Sequence, residues 1–304
     1  MPVITTANHP KALWPGVKAW FGRQYDEHQV EHTDLFESDT SDKQYEEIVE
    51  LTGFGLAPVK EQGASVSYDS EQQGNLQRAT HVAYALGYIV TREELDDSQY
   101  EIVSKRRARA LAFAMRQTKE TVGANVYNRA FNSSYTFADG KELLATDHPT
   151  LSGNQSNELA VAADLSEAAL EDLCIQIMGA QNSRGLKIKL MPDALIVPRQ
   201  LSFEAARILK SVGQSGTANN DINALREMGM FPGGVKVNHY LTDADAFFVR
   251  TKVPSGTGLV HFQRVATEFK QDNDFDTDNA KAKAYERYVF TVGDWRALFG
   301  SPGA

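Results

Sequence analysis

The pattern closest to a catalytic centre is His28-Gln29-Val30-Glu31-His32, near the start of the chain. On a helix, two histidines at this spacing lie one turn apart, where both can bind a zinc ion while the glutamate activates a water molecule. That mechanism needs a buried helix with an apolar face. Residues 25–34 are rich in acidic side chains and have hardly any apolar face. The pattern therefore favours a solvated arm, and a zinc-dependent hydrolase acting through His28, Glu31 and His32 stays an alternative.

The other arrangements that could bind a ligand each lack a residue that the chemistry requires. Asp274, Asp276 and Asp278 alternate like the first ligands of a calcium loop, but the sixth position is Asn279 instead of glycine. The chain contains no G-x-S-x-G nucleophile turn and no complete G-x-G-x-x-G phosphate-binding turn. Residues 272–279 therefore predict a β-turn, and the sequence predicts no catalytic residue, no cofactor and no bound metal.

The composition excludes several classes of protein. The chain has 304 residues, 42% of them hydrophobic, which is sufficient for a packed core. Its 31 basic and 40 acidic residues give a net charge of -9, which argues against a dedicated nucleic-acid binder. The single cysteine, Cys174, lies in an apolar run and predicts a buried thiol in a reducing compartment. No window reaches the roughly 18 apolar residues of a membrane span, and residues 1–5 lack the pattern of a signal peptide.

The elements that must position any working surface are a hairpin and a long helix within residues 56–131. Residues 81–91 alternate between large apolar and small side chains, which predicts a β-strand. Ala64, Val66 and Tyr68 follow the same period and mark the first strand of the hairpin. Residues 69–76 contain the turn-forming pair Gly74-Asn75, so the hairpin tip is predicted there.

From Thr91 the period changes to that of a helix. Thr91 and Glu94 form the T-x-x-E pattern of a capping box, and acidic residues in the first turns precede basic residues in the later ones. An apolar stripe continues to residue 131, which predicts one helix of roughly ten turns. A hairpin and a helix this extended cannot be buried within a compact monomer. The sequence therefore predicts that they contact neighbouring molecules.

The rest of the chain divides into further segments. They are an extended arm with short helical turns (1–45), a short helix (41–51), a loop (132–158), a segment of alternating strands and helices (164–253) and two long strands (259–269 and 280–292). The alternating segment is typical of an α/β layer, and it separates the long helix from the last two strands. We therefore expect the helix to pack against strands from the far end of the chain, in one domain with another inserted.

Several short stretches carry a resemblance to a known family. They are Phe275-Asp276-Thr277-Asp278-Asn279 with Lys281 and Lys283, Gly293-Asp294-Trp295-Arg296 with Phe299-Gly300, Ala145-Thr146-Asp147-His148-Pro149 and Leu195-Ile196-Val197-Pro198. The order of parts is an arm, a hairpin, a long helix, an α/β insertion and closing strands. With these stretches in that order, the chain resembles the major capsid protein, or major head protein, of tailed bacteriophages.

The resemblance implies an α+β fold of the Hong Kong 97 type, built from an N-terminal arm, an extended β-hairpin loop, a long spine helix, a peripheral β domain and an inserted α/β axial domain. The implied boundaries are 1–55 for the arm, 56–90 for the hairpin loop, 91–163 for the spine helix and the first part of the peripheral domain, 164–253 for the axial domain and 254–304 for the closing strands of the peripheral domain.

The function that the resemblance implies is structural, not enzymatic. Subunits would self-assemble into pentamers and hexamers of an icosahedral head that encloses double-stranded DNA without sequence-specific binding. Implied partners are further copies of the chain and portal, scaffolding and decoration proteins, with no membrane. The implied location is the virion, after assembly in the host cytoplasm. An encapsulin-like bacterial shell protein would have the same fold and stays an alternative.

The same resemblance implies candidate contacts between subunits. Large aromatic side chains of the arm and hairpin, and polar side chains at the hairpin tip and in the axial loop 214–221, would face neighbouring copies. These residues are Trp14, Trp20, Phe21, Tyr68, Gln72, Asn75, Tyr84, Tyr88, Asn219 and Asn220.

Overall fold

The computed structural model describes residues 14–97, 100–213, 222–253, 258–274, 276–277 and 279–304. The helices are α1 (Trp14–Glu27), α2 (His32–Leu35), α3 (Arg92–Asp97), α4 (Tyr100–Asn128), α5 (Glu167–Met178), α6 (Ser202–Lys210) and α7 (Ala224–Glu227). The strands are β1 (Glu37–Thr40), β2 (Tyr45–Leu51), β3 (Gln73–Thr80), β4 (Val82–Val90), β5 (His148–Thr150), β6 (Gly153–Gln155), β7 (Pro192–Pro198), β8 (Gly234–Asn238), β9 (Phe247–Thr251), β10 (Leu259–Asn273), β11 (Ala280–Val292) and β12 (Leu298–Ser301).

The first sheet is built on the hairpin of β10 and β11, in the order β1-β10-β11-β4. β4 pairs antiparallel with β11, whereas β1 pairs parallel with β10. Helix α4 lies on this sheet, and its side chains Ala108, Leu111 and Met115 are buried in one cluster with Phe269 and Ala284 of the strands. The prediction that the long helix packs on strands from the far end of the chain is confirmed.

The second sheet has the order β12-β9-β7-β8 and lies in the α/β segment together with the C-terminal strand. Strands β7, β9 and β12 are almost entirely buried because both faces of the sheet are covered, whereas the edge strand β8 is mostly half-buried. One face, with Leu195 and Val249, packs under helices α5 and α6. The opposite face, with Ile196 and Phe248, packs against the end of α4. Alternation of side chains across the strands therefore sends successive residues into two different cores.

The second core connects three parts of the chain. Tyr127 of α4 is fully buried beside Phe36 of the arm and Phe248 of β9, and its hydroxyl donates a hydrogen bond to the backbone oxygen of Leu35 over 3.0 Å. Leu144, from the segment after α4, lies in the same core. The arm, the long helix and the second sheet are thus packed on one another.

The predicted hairpin is wrong in its pairing. Residues 64–68 form no strand, and the predicted tip at residues 69–76 overlaps β3 (Gln73–Thr80), which pairs antiparallel with β2 (Tyr45–Leu51). A short helix was expected at residues 41–51. Most of this segment is instead the strand β2. Its residues alternate between exposed and half-buried, and Glu47 forms an ion pair with Arg78 on the facing strand. The two-residue alternation of these side chains therefore indicates the observed structure better than the local helix pattern does.

β4 is confirmed as a strand, but its partner is β11, from the far end of the chain. Gly87 makes the close approach possible, since a Cβ atom at this position would lie 2.7 Å from the backbone oxygen of Ala282. The pairing is non-local, so no pattern within residues 56–91 could indicate it.

The long helix is confirmed from Tyr100 to Asn128, and α3 covers the predicted first turns; residues 98–99 are outside the described part. The predicted cap is present, because the Thr91 hydroxyl accepts a hydrogen bond from the Glu94 amide over 3.4 Å. The arm is more helical than predicted. Phe21 and Tyr25, one turn apart on α1, are buried in the cluster between α4 and the first sheet, and this packing stabilises a helix that the weak local pattern does not indicate.

Candidate subunit interface

The most exposed apolar surface of the described chain lies on the long loop between β2 and β3, residues 52–72. Leu56 is 84% exposed, Val59 is 95% exposed and Tyr68 is 93% exposed. Phe54 and Val66 of the same loop are also exposed. Exposed apolar surface often marks a contact with another molecule, so this loop is a candidate contact surface. We name residues 52–72 the outer loop.

The base of the outer loop is closed by hydrogen bonds, although its apolar side chains are free. The Gly55 amide donates to Asp69 Oδ2 over 2.8 Å, and the Thr52 amide donates to the Gln72 backbone oxygen over 3.1 Å. Arg184 forms an ion pair with Asp69 over 2.8 Å. The backbone amides of Gly55 and Ser70, together with Arg184, lower the pKa of the Asp69 carboxyl. The loop therefore projects from a defined anchor.

The anchor continues into the two-stranded sheet of β2 and β3. Glu50 accepts a hydrogen bond from the Ser183 hydroxyl and lies 3.7 Å from a guanidinium nitrogen of Arg296. A cleft of about 450 Å³ lies beside β2, with Ile48, Asn182 and Trp295 among its lining residues. Since two strands alone are marginally stable, this attachment to the rest of the chain holds β2 and β3 in place.

β4 presents a second exposed surface. Its described strand partner is β11 alone, and Val82, Leu86 and Ile89 are exposed apolar side chains. The two tyrosines predicted as contacts are half-buried within the chain itself. Tyr84 stacks on Tyr288 with ring centroids 4.7 Å apart, and Tyr88 packs against the core under α4. Each has only part of its ring available to another molecule.

The aromatic residues predicted for the arm differ in their exposure. Phe21 is buried in the core of its own chain, stacked on Phe269 at 4.7 Å, so its predicted role as an anchor in a partner is wrong. Trp20 is half-buried under the guanidinium groups of Arg23 and Arg109. Trp14 is the first residue of α1, and the structure describes nothing of its side chain.

The contacts predicted for the hairpin tip lie in or beside the outer loop, unlike the two predicted for the axial loop. Tyr68 and Gln72 are exposed residues of the loop itself, and Asn75 of β3 has its side-chain nitrogen 3.5 Å from Glu50. Asn219 and Asn220 are outside the described residues. Tyr68, Gln72 and Asn75 thus lie in the outer loop or in the strand that follows it, whereas Tyr84 and Tyr88 lie on the separate strand β4.

Two of the resembling stretches meet in the fold. The imidazole of His148 stacks on the indole of Trp295, with centroids 4.3 Å apart and planes 3° from parallel. His148 Nδ1 lies 2.5 Å from Asp139 Oδ2, and its Nε2 lies 3.0 Å from Asn157 Oδ1. His148 and Asn157 are fully buried, whereas Asp139 and Trp295 are partly buried. The stretches around residues 148 and 295 therefore build one joint between the segment after α4 and the C-terminal strand.

Asn157 is the centre of this joint, and the sequence analysis did not identify it. Its side-chain nitrogen donates to the backbone oxygens of Leu143, Trp295 and Leu298 over 2.8, 3.1 and 3.0 Å. Its oxygen accepts from the Ala145 amide over 2.9 Å. An isolated asparagine in a polar loop has no local signal, because its partners lie up to 141 residues away. The asparagine satisfies backbone groups that burial would otherwise leave unpaired.

Buried charges connect the arm, α4 and the first sheet. Lys119 Nζ lies 3.7 Å from Glu286, whose carboxylate also accepts a hydrogen bond from the Tyr25 hydroxyl over 3.1 Å. Burial lowers the pKa of Lys119, and burial together with Glu286 raises the pKa of Tyr25. Burial, with Lys119 nearby, lowers the pKa of His261 to about 3. Glu286 is the shared buried partner of Lys119 and Tyr25, whereas the charge of Lys119 opposes protonation of His261.

The histidines at positions 28 and 32 do not form a metal centre. His32 is buried, with its Nδ1 2.7 Å from Glu120 of α4, whereas Glu31 points to His239, 2.7 Å away. His28 lies edge-on to Phe113. His28 follows the end of α1 at Glu27, and His32 is the first residue of α2, so the motif does not lie on one helix face. Among the described residues, no cluster of histidine, cysteine and acidic side chains could hold a metal ion.

Three other predictions have outcomes in the structure. The backbone reverses between β10 and β11 as predicted, where the Asp274 amide donates to the Asn279 oxygen over 2.9 Å. Cys174 is a buried free thiol, and burial raises its pKa to about 12. Of the helices in the described ranges, none has the length and apolar character needed to span a membrane.

Comparisons with known proteins agree with this architecture. A family model described as phage capsid protein matches residues 76–300. A search of the curated proteins finds no match.

Solved structures give the fold. A virus-like particle from Pyrococcus furiosus is 11% identical, with 95% of this chain and 99% of that chain covered and a TM-score of 0.55. The capsid of an empty GTA particle is 12% identical, with coverages of 91% and 92% and a TM-score of 0.56. A chain of Mycobacterium phage Patience is 10% identical, with coverages of 98% and 90% and a TM-score of 0.56. At such low identity the likeness shows a shared fold.

Proposed function

Because the chain belongs to the phage capsid protein family, we propose that its copies form the pentamers and hexamers of an icosahedral head around double-stranded DNA. The family and fold indicate a structural shell protein. The observation that carries the finer proposal is the outer loop, whose apolar side chains at Leu56, Val59 and Tyr68 have no cover in their own chain. A neighbouring copy would bury them, with a gain of roughly 25 cal/mol for each Å² of apolar surface.

The domain boundaries are part of the proposal. Residues 1–55 would be the arm, 56–90 the extended loop, 91–163 and 254–304 the peripheral domain with its spine helix, and 164–253 the axial domain. The second sheet supports this division, although its strand β12 (Leu298–Ser301) comes from the C-terminal part. Residues 214–221 would lie near the local symmetry axis of a capsomer.

The partners and the location belong to the same proposal. Portal, scaffolding and decoration proteins would complete the particle, which would assemble in the host cytoplasm and end in the virion. The net charge of -9 suits a wall that repels the packaged DNA and lets it slide. No sequence-specific contact with the DNA is needed for this role.

Neither alternative has support of the same kind. A zinc-dependent hydrolase would need His28, Glu31 and His32 at one metal, but His32 and Glu31 contact Glu120 and His239 instead. An encapsulin-like shell would share the fold, but the family model that matches is that of phage capsid proteins.

The test is electron microscopy and size measurement of the expressed chain, with and without changes in the outer loop. Replacing Leu56, Val59 and Tyr68 by serine removes the apolar surface while the hydrogen bonds at the loop base remain. We expect a folded subunit with an unchanged melting temperature that forms no closed shells.

A control variant distinguishes this effect from a general loss of surface hydrophobicity. Leu151→Ser together with Val161→Ser changes two exposed apolar residues outside the outer loop. This variant should form normal particles. Normal particles from the outer-loop variant would contradict the proposal, and wild-type protein that stays monomeric would contradict it as well.

A further inference from the structure

The α/β segment has two helices over opposite halves of one sheet face. In the order β12-β9-β7-β8, helix α5 packs beside β12 and helix α6 packs on β7 and β8. Both helices bury their inner sides in the same core, with Leu173 of α5 and Ile208 of α6 among its members. Their outer sides therefore point away from the sheet near its two opposite lateral edges.

The outer side of α6 is basic and apolar. Phe203 is 79% exposed and lies in one stripe with Arg207 and Lys210, which are exposed as well. A shallow open groove runs between these side chains. Glu204 is the acidic residue on this helix and lies at the flank of the stripe. Within the described ranges, neither Arg207 nor Lys210 forms an ion pair, so both charges are available to a partner.

The outer side of α5 has the opposite charge. Asp172 is exposed, Glu171 is half-buried beside it, and Ile175 is 64% exposed one turn further along. Met178 extends the apolar part of the stripe. In the part of the chain that the structure describes, the two carboxylates have no cationic partner. The two helices thus present stripes of similar apolar character and opposite charge.

We propose that the α6 stripe of one copy binds the α5 stripe of the next copy, in a head-to-tail contact that closes the capsomer ring. This inference rests on the proposed function and adds the surface through which neighbouring copies recognise each other. Two complementary surfaces on opposite sides of one unit generate a ring when the rotation between copies closes. Phe203 would insert beside Ile175, and Arg207 and Lys210 would face Glu171 and Asp172.

A second copy is the occupant that these observations select. A foreign partner would need one of the stripes only, whereas the chain carries both, with matched charges at opposite edges of the sheet. Charge complementarity of this kind determines the register and the choice of partner, because wrong pairings place like charges together.

Charge reversal tests the contact. The first variant carries Arg207→Glu and Lys210→Glu, and the second carries Glu171→Lys and Asp172→Lys. Either variant alone should reduce the fraction of protein in capsomers by at least about tenfold, because like charges then face each other at every contact. The variant with all four changes should recover capsomers. Native mass spectrometry measures each fraction, and thermal melting checks that each subunit is folded.

Mixing the two single-stripe variants gives a sharper result. Each reversed stripe then matches the reversed stripe of the other variant, so the two kinds of subunit must alternate around the ring. Alternation is possible in a ring of six but not in a ring of five. We expect mixed hexamers with equal numbers of both variants and no recovery of pentamers, whereas the four-change variant recovers both.

The controls separate the possible failures. Lys187→Glu with Lys189→Glu reverses two exposed charges outside both helices and should leave capsomers unchanged. Wild-type protein that forms no capsomers would overturn the proposed function and this inference with it. Wild-type capsomers that persist in both reversed variants, or reversed variants that the four-change combination does not restore, would overturn the inference and leave the proposed function intact.

Discussion

At the scale of single residues, the buried charges under α4 have the largest consequences. Lys119 and Glu286 are both almost fully buried, and the Tyr25 hydroxyl of the arm donates a hydrogen bond to the same carboxylate. His32, part of the pattern that suggested zinc, forms a buried contact with Glu120 of α4 instead. These residues do make strong electrostatic contacts, but each contact joins elements that are far apart in the chain.

Removing the Glu286 charge should destabilise the subunit strongly. In Glu286→Gln the volume is kept, but the Lys119 ammonium loses its buried counter-charge, so the free energy of unfolding should fall by about 3 to 5 kcal/mol. Urea denaturation measures the change. Glu268→Gln is the matched control, since its ion pair with Lys270 is exposed and worth at most about 1 kcal/mol. Equal effects of the two substitutions would contradict the buried network.

The stability of the subunit should fall in acid because of His261. Its pKa is about 6.5 when unfolded and about 3 in the fold, because burial and the neighbouring Lys119, His32 and His81 oppose its charge. The unfolded state therefore binds an additional proton between these values, and stability decreases as the pH falls through this window.

Replacing His261 by phenylalanine removes this dependence. Between pH 7 and pH 4 the wild-type chain should lose about 3 kcal/mol more unfolding free energy than the His261→Phe variant. Phenylalanine retains an aromatic ring against Phe290, which His261 stacks on at 4.5 Å. Denaturant titrations at both pH values measure the difference. Parallel losses in both proteins would show that His261 is not the titrating group.

At the scale of elements, β4 shows how a strand can be predicted while its partner is not. Its alternating pattern is local, but its pairing with β11 joins residues about 200 positions apart. The pairing depends on Gly87, because a Cβ atom would approach the Ala282 backbone oxygen to 2.7 Å.

A side chain at position 87 should separate the two strands. We expect Gly87→Val to lower the unfolding free energy by about 1 to 3 kcal/mol through overpacking against the β11 backbone. Ala85→Val, on the same strand and exposed, should change it by less than about 0.5 kcal/mol. Thermal melting of both variants measures the contrast. A Gly87→Val subunit as stable as the Ala85→Val subunit would mean that the strands can move apart without cost.

At the scale of the whole molecule, the chain has the α+β fold of the Hong Kong 97 type and belongs to the phage capsid proteins. The two sheets, the long helix and the arm share one continuous packing through Tyr127 and Asn157. The outer loop and the stripes on α5 and α6 project from this body. These exposed surfaces are the ones through which we propose that copies of the chain contact one another.

The sequence alone determined the long helix and the strands β4, β10 and β11. These features depend on residues near one another in the chain, so a period of 2.0 or 3.6 residues is enough to indicate them. The tertiary structure decided that residues 45–51 are a strand and that β4 pairs with β11. It also decided that Phe21 is buried in the core of its own chain and that the His32 side chain contacts Glu120. Each of these depends on contacts between distant residues, whose energies no local pattern contains.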